Sequence, residues 1–298
     1  MENAVIKTLA FFGIFKRPLT KEKLFLYLWS EQKINQTEFD NVLSSLITQN
    51  KIKEKDGYYF LFGRDDITQI QKNRDQILEE KIKIAQKSFK KISWVPFVEA
   101  VFVCNSVALG SANDGSDIDF FIITKNKRIF LVRFLTAFVL RFLNYKRQGQ
   151  NIKNKICLSF YLADDYLNLE KISIKDDVYL VYWLAGLEPL FDPQNYKQKI
   201  WDNNLWAKNR LSNFITGDNS ILYKKNKIKV ILEKMFNCKI GGFSERLFKK
   251  VLVKKMNYNK NSHQNNFDTG VVVNDRMLKF HEDDRREEYS ELWIKYYF

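Results

Sequence analysis

A pair of aspartates at the start of a long apolar run constrains this chain more than any other feature. Asp117 and Asp119 flank Ile118, and apolar residues follow them up to Thr124. This pattern predicts a strand over 117–124 on which both carboxylates project from one face, because side chains alternate along a strand. Two such carboxylates repel each other unless a cation lies between them, and Mg²⁺ prefers carboxylate and phosphate oxygens. The pair therefore predicts a site for Mg²⁺ or Mn²⁺.

A second predicted strand ends shortly before this pair and runs directly into a turn of small residues. The stretch 98–104 is mainly apolar, and Asn105, Ser106 and Gly110 follow it. A strand that turns at once into a short helix presents backbone N–H groups to a phosphate. Ser106 adds a hydroxyl donor, and Gly110 lets the backbone pass close to a ligand. A phosphate-binding turn beside a metal pair is the arrangement of a phosphoryl-transfer site.

These two elements together resemble the Gly-Ser…Gly…Ser-Asp-x-Asp signature of the polymerase β nucleotidyltransferase superfamily. The matching residues are Asn105-Ser106, Gly110 and Ser116-Asp117-Ile118-Asp119. The resemblance implies an α+β nucleotidyltransferase core in which Asp117 and Asp119 bind the metal. It also implies that Asn105, Ser106, Gly110 and Ser116 hold a nucleoside triphosphate such as ATP. The implied reaction moves a nucleoside monophosphate to an acceptor hydroxyl on an RNA end, a protein or a small molecule.

Two positions depart from that signature. Asn105 replaces the family's glycine, and asparagine is the residue after glycine that best tolerates a left-handed backbone. Its side chain would either crowd the phosphate or add a donor to it. The family also places a third carboxylate on the next strand, but the stretch 156–162 contains no acid. Asp164, at the exit of that strand, is the predicted third carboxylate. The alternative is a catalytically lapsed protein that binds DNA or senses nucleotides as a scaffold.

The N-terminal residues 1–64 have the pattern of a winged helix-turn-helix. Helical apolar spacing covers 4–15 and 21–30, with Thr20 as an N-cap, and a third helix begins at Asn35 or Thr37. Asp56-Gly57 between two extended runs then predicts a β-hairpin. The third helix contains no arginine. Duplex binding and a role in protein interaction or homo-oligomerisation are both open for this unit.

Three further segments complete the predicted organisation. A connecting helix over 65–93 precedes the nucleotidyltransferase core at 94–190, and a mainly helical region occupies 191–298. The predicted helices are at 127–143, 177–187, 201–216, 228–236 and 244–255. A small hairpin is predicted over 270–280, turning at Asn274-Asp275, and a last helix from Glu282, with His281 at its start.

Composition bears on partners and on the cellular setting. The net charge of +14 and the pI near 9.4 favour nucleic acid or nucleotide phosphates as partners, although a solvated lysine surface explains them equally well.

Cys104 and Cys157 lie in apolar runs and are predicted to be buried, and the three cysteines form no CxxC pair. The start of the chain lacks the pattern of a signal peptide. The most apolar stretch, 129–143, is interrupted by arginines and falls short of the roughly 20 residues that span a bilayer. We therefore expect a soluble, cytoplasmic protein without a membrane partner.

Overall fold

The computed structural model describes residues 1–63, 67–149, 151–217, 226–237, 239–258 and 269–297. Within these ranges the chain is a mixed α+β protein with one small and one large β-sheet. No helix in the described part combines the length and the apolarity needed to cross a membrane. The predicted α+β class is thus confirmed at this coarse level. Cys238 and His263 lie outside the described residues.

The N-terminal unit contains the three predicted helices and the hairpin, but the second helix ends at Leu26 rather than at Ser30, which pairs with Leu211 instead. Its elements are α1 (Glu2–Ile14), β1 (Leu19–Thr20), α2 (Lys21–Leu26), α3 (Gln36–Thr48), β2 (Ile52–Lys55) and β3 (Tyr58–Leu61). The side chains of Thr20 and Asn35 cap α2 and α3 by accepting the N–H groups of Lys23 and Glu38. The strands form an antiparallel sheet in the order β1-β3-β2. Asp56 and Gly57 have φ values of 55° and 79°, as a tight hairpin turn requires.

A long helix and the large sheet follow. The elements are α4 (Ile67–Ile92), β4 (Val98–Cys104), α5 (Asn105–Ala108), β5 (Ile118–Thr124), α6 (Ile129–Phe142), β6 (Ile156–Ala163), a 3₁₀ turn (Glu170–Ile172), α7 (Val178–Ala185) and β7 (Glu188–Phe191). The remaining elements are α8 (Tyr196–Asn203), α9 (Leu205–Lys208), α10 (Lys227–Phe236), α11 (Lys239–Tyr258), β8 (Val271–Val273), β9 (Met277–Phe280) and α12 (Arg286–Tyr297). The sheet order is β7-β4-β5-β6-β9-β8, and only β5 and β6 pair in parallel among the described strands.

Several predicted elements need correction. The helix predicted over 201–216 is wrong: Asn204 interrupts it, because its buried side-chain amide binds the carbonyls of Leu167 and Ile200. Residues 188–191 form the edge strand β7, in which Pro189 is tolerated because an edge strand has a free side. The last helix begins at Arg286 rather than at Glu282, since Asp284 accepts the Arg286 N–H at 3.3 Å.

Both faces of the large sheet are covered, and the two faces differ in their partners. Phe120 and Ile122 point to the side on which α4 and α6 pack, whereas Phe121 and Ile123 point to the side of α7. The N-terminal unit shares this second side. The Phe11 ring stacks on Tyr182 of α7 at a centroid distance of 4.3 Å. The Asp117–Asp119 pair continues the row of Phe121 and Ile123, so the pair lies on the side shared with the N-terminal unit.

Candidate active site

Neighbouring strands bring Asp117, Asp119 and Cys157 together. Asp119 is paired with Cys104 on β4 and with Cys157 on β6. The carboxylate oxygens of the two aspartates and the Cys157 sulfur all lie within 4.8 Å of one another. Cys157 is half-buried and faces this group, so its prediction as a buried core residue is wrong. The third side chain of this group is therefore a thiol.

The Asp119 carboxyl is buried and surrounded by hydrogen-bond donors. Burial and the charge of Asp117 raise the pKa of Asp119 to about 6, although hydrogen bonds from Asn105, Cys157 and Ser159 oppose this shift. The Ser159 hydroxyl donates to an Asp119 oxygen at 3.3 Å. A shift in strand register between Asp119 and Phe121 places both Cys157 and Ser159 beside this carboxyl. Without a cation, this carboxyl is held at an electrostatic cost.

The Asp117 carboxylate is more exposed and carries an ion pair. Arg147 Nη1 donates to Asp117 Oδ2 at 2.7 Å. Burial alone would lower the pKa of Arg147. The charge of Asp117 and the hydrogen bond to it outweigh burial, so the Arg147 pKa is raised. The backbone N–H of Arg147 binds the Ile156 carbonyl at 2.9 Å, which fixes the segment before β6 against the sheet. Sequence reasoning missed this arginine, since it is far from the motif along the chain.

Asn105 adopts the left-handed backbone predicted for it, with φ 54°. Its side-chain oxygen accepts the Trp183 indole N–H at 2.9 Å and lies 3.5 Å from the Tyr179 hydroxyl. Its amide also hydrogen-bonds Asp119. Asn105 therefore lines the cavity as an oriented polar group that links α7 to Asp119.

The other residues of the predicted phosphate turn lie away from the cavity wall. Ser106, Gly110 and Ser116 are absent from the residues that line the cavity. The Ser116 hydroxyl accepts the Asn113 N–H at 3.0 Å and closes its own loop. Gly110 has φ 70°, and a Cβ there would lie 2.7 Å from the Arg17 guanidinium carbon. The glycine thus makes room for a buried arginine of the N-terminal unit, whose Nη1 donates to the Leu109 carbonyl.

The connecting helix α4 braces the loop that precedes Asp117. The buried Lys81 ammonium donates to the carbonyls of Asp114 and Ser116 at 3.2 and 2.7 Å, and to Asn154 Oδ1 at 2.7 Å. Three oxygen partners offset the cost of burying this charge. This lysine therefore fixes the loop before β5, and with it the position of Asp117.

Asp164 does not belong to the site, which corrects its prediction as the third carboxylate. Because β5 and β6 are parallel, the exit of β6 meets the exit of β5: the Asp164 N–H binds the Thr124 carbonyl at 2.8 Å. The Asp164 carboxylate accepts the Asn126 N–H at 2.8 Å and pairs with Lys125. Asp164 therefore lies at the exit of the two parallel strands, where it closes a turn, whereas Asp119 lies near their start.

A segment from the far end of the chain forms the opposite wall. The cavity has a volume of about 600 Å³, and its lining includes His281, Glu282, Asp283, Asp284, Arg285, Arg286 and Tyr289. Burial and the charge of Lys279 lower the His281 pKa to about 3, so the imidazole is neutral. Arg286 is tied to Asp284 and to the buried Asp177. The run of acids and arginines at 282–286 was the available signal, which sequence reasoning assigned to a helix start.

The arrangement fits a divalent cation. Five carboxylates line the cavity, on Asp117, Asp119, Glu282, Asp283 and Asp284, against three arginines that are all in ion pairs. The two aspartates offer hard oxygen ligands on one face, which suit Mg²⁺ or Mn²⁺. The thiol of Cys157 is a poor ligand for Mg²⁺. Burial and the nearby carboxylates raise its pKa, which favours the protonated form.

Comparison of the chain with protein-family models, with curated proteins and with solved structures finds no match.

Proposed function

We propose that this protein is a nucleotidyltransferase of the polymerase β type, which transfers a nucleoside monophosphate from a nucleoside triphosphate to an acceptor hydroxyl. One observation carries the proposal. Asp119 on β5 and Asp117 immediately before it hold their carboxylates close together, inside an acidic cavity and next to the left-handed turn at Asn105. The order of strand, short helix, strand, long helix and parallel strand supports it. Cys104 and Cys157 are free thiols, in keeping with a reducing cytoplasm, which we propose as the setting.

The proposed reaction is an in-line displacement at the α-phosphorus. The acceptor oxygen forms a new bond to phosphorus while the bond to the bridging oxygen of pyrophosphate breaks, and the hydroxyl proton passes to solvent. A bound Mg²⁺ would supply charge neutralisation on the phosphates. Asp117 and Asp119 would hold that cation. If that cation displaced Arg147 from Asp117, the Arg147 guanidinium would be free to donate a hydrogen bond to a phosphate oxygen.

A second candidate is a nucleotide-binding protein without transfer activity. The observation that favours it is the chemistry of β6, where Cys157 and Ser159 stand beside Asp119 and no carboxylate does. Such a protein would still bind a metal–nucleotide complex through Asp117 and Asp119. The two candidates therefore differ in turnover and agree in binding.

The decisive experiment measures binding and transfer in parallel. Purified protein is mixed with each labelled nucleoside triphosphate, Mg²⁺ and a cell extract as the source of acceptors. We expect label to move to an acceptor, and we expect Asp119→Asn to reduce transfer by about a thousandfold, since a metal site contributes several kcal/mol to such reactions.

Asp164→Asn is the matched control, because it removes one carboxylate at the far end of β6 and should leave transfer unchanged. Calorimetric titration with a non-hydrolysable triphosphate and Mg²⁺ tests binding alone. Binding without transfer would select the second candidate. Transfer by Asp119→Asn at the parental rate would refute the proposed site.

A further inference from the structure

A second pocket opens between α6 and α11, outside the cavity. It has a volume of about 280 Å³. Four cationic side chains line it, those of Arg133, Arg141, Lys146 and Lys255, and none of its described lining residues is acidic. Glu245 of α11 accepts the N–H groups of Phe130 and Leu131 and so fixes α11 on the start of α6. The pocket is thus a positively charged groove between two attached helices.

Within this pocket, Arg133 lacks partners for two of its N–H groups. Its guanidinium lies between the rings of Tyr161 and Phe280, at 5.3 and 5.2 Å from their centroids. The Nε and Nη1 atoms are buried and have no hydrogen-bond acceptor among the described residues. Burial, followed by the charges of Arg133 and Lys255, lowers the Lys146 pKa to about 8. The mutual repulsion of these cations would be relieved by an anion bound in the pocket.

A row of exposed aromatic rings leads away from the pocket along α6. The exposed fractions of Phe134, Phe138 and Phe142 are 39%, 59% and 80%. Successive rings are 6.2 and 6.4 Å apart and nearly parallel, with interplanar angles of 13° and 15°. Phe248 of α11 stacks on Phe134 at 4.0 Å. Exposed ring faces beside cations are the means by which proteins bind single-stranded nucleic acid without reading its sequence.

The pocket is next to the cavity. Lys146 lines the pocket and Arg147 lines the cavity. The two residues are consecutive in a segment held against β6 through Ile156. Phe280 also lines the cavity, while Arg133 lies against its ring. The aspartate pair lies on the opposite face of the sheet from α6, so a nucleic-acid strand bound in the pocket would reach it by passing around the ends of the β-strands at Lys146 and Arg147.

Resting on the proposed function, we propose that the acceptor is the end of a single-stranded nucleic acid. One of its phosphates binds among Arg133, Lys146 and Lys255, and its bases stack on Phe134, Phe138 and Phe142. The net charge of +14 favours a polyanion. An anionic lipid surface would share the charge complementarity. A lipid surface would not, however, explain why Lys146 and Lys255 lie close to the Arg133 guanidinium, which packs against a ring that lines the cavity.

The test measures binding without nucleotide or Mg²⁺, so that it is independent of transfer. The probe is a fluorescein-labelled oligoadenylate of roughly 12 nucleotides, within the range that single sites of this kind cover, and the readout is fluorescence anisotropy. We expect Phe138→Ala to weaken binding about tenfold, through the loss of one base stack. We expect Lys146→Gln with Lys255→Gln to reduce the slope of log affinity against log salt by about 0.7 for each lysine.

Matched controls lie elsewhere on the surface. Phe62→Ala removes an equally exposed ring from the N-terminal unit, and Lys87→Gln removes an exposed charge from α4; both should bind like the parent. Asp119→Asn should also bind normally, so the oligonucleotide site and the transfer site can fail separately. Parental affinity in Phe138→Ala would overturn the inference. Tighter binding of a duplex of the same length, or of phosphatidylserine vesicles in place of the oligonucleotide, would also overturn it.

Discussion

The parallel strands β5 and β6 present different chemistry at the same level of the large sheet. Asp119 on β5 and Asp117 immediately before it supply two carboxylates. On β6, Cys157 stands opposite Asp119, and Ser159 donates a hydrogen bond to it. A thiol and a hydroxyl stabilise a neighbouring carboxylate without adding charge. One strand and the residue before it therefore contribute two charged groups to the cavity, while the neighbouring strand contributes uncharged donors at the same level. Affinity for a hard cation depends on that charge count.

The largest expected effect is on the pH dependence of the unfolding free energy, measured in protein stripped of divalent ions. The pKa of Asp119 is raised from 3.8 to about 6 in the folded chain. Between these values the folded state holds a proton that the unfolded state has lost, so stability falls as pH rises from about 4 to about 6. The expected loss attributable to this group is roughly 2–3 kcal/mol. Urea unfolding across this pH range, in the presence of a chelator, measures it.

Asp119→Asn provides the reference, because an amide does not titrate. The unfolding free energy of the parent minus that of the variant should be larger by that amount at pH 4 than at pH 7. Mg²⁺ should stabilise the parent at neutral pH and leave the variant nearly unaffected. A difference that does not change with pH would show that Asp119 titrates normally.

Cys157→Asp adds a third carboxylate beside Asp117 and Asp119 and should produce the next largest effect. We expect the affinity for Mn²⁺ to rise about tenfold, because an added charge attracts the cation while its own burial consumes part of the gain. The stability without metal should fall, since three carboxylates then repel one another. Calorimetric titration with Mn²⁺ measures the affinity, and thermal unfolding measures the stability.

Cys157→Ser is the matched control, because it removes sulfur and adds no charge. Its affinity for Mn²⁺ should stay within about twofold of the parent. If the serine variant loses the metal and the aspartate variant gains nothing, the thiol itself is a ligand. The interpretation of β6 as the uncharged strand would then be wrong.

Arg147→Gln should have the smallest effect on metal binding. The guanidinium competes for Asp117 from a half-exposed position, and pairs of this kind contribute at most about 1 kcal/mol. Mn²⁺ binding should therefore tighten by about threefold, whereas binding of the triphosphate should weaken, because a phosphate donor is lost. Lys153→Gln breaks a similar pair with Asp114 outside the cavity and should change neither quantity. Weaker Mn²⁺ binding in Arg147→Gln would contradict the competition.

Patterns among residues adjacent in the chain predicted much of the fold and half of the candidate site. The predicted strand over 98–104 and the hairpin at Asp56-Gly57 are confirmed, because they depend on residues adjacent in the chain. The left-handed turn at Asn105 follows from the same kind of local preference. Asp164 was predicted from its place along the strand, and it failed because a parallel pairing puts the two strand exits together.

The sequence by itself determined the Asp117–Asp119 pair, the face that it shares and the turn beside it, since alternation along a strand needs no distant partner. Only the tertiary structure decided what surrounds the pair. The register shift that turns Cys157 and Ser159 toward Asp119, the Lys81 brace and the acidic wall at 282–286 all depend on contacts between residues far apart in sequence. Such contacts produce no periodic pattern in the sequence, because each depends on how separate elements pack against one another.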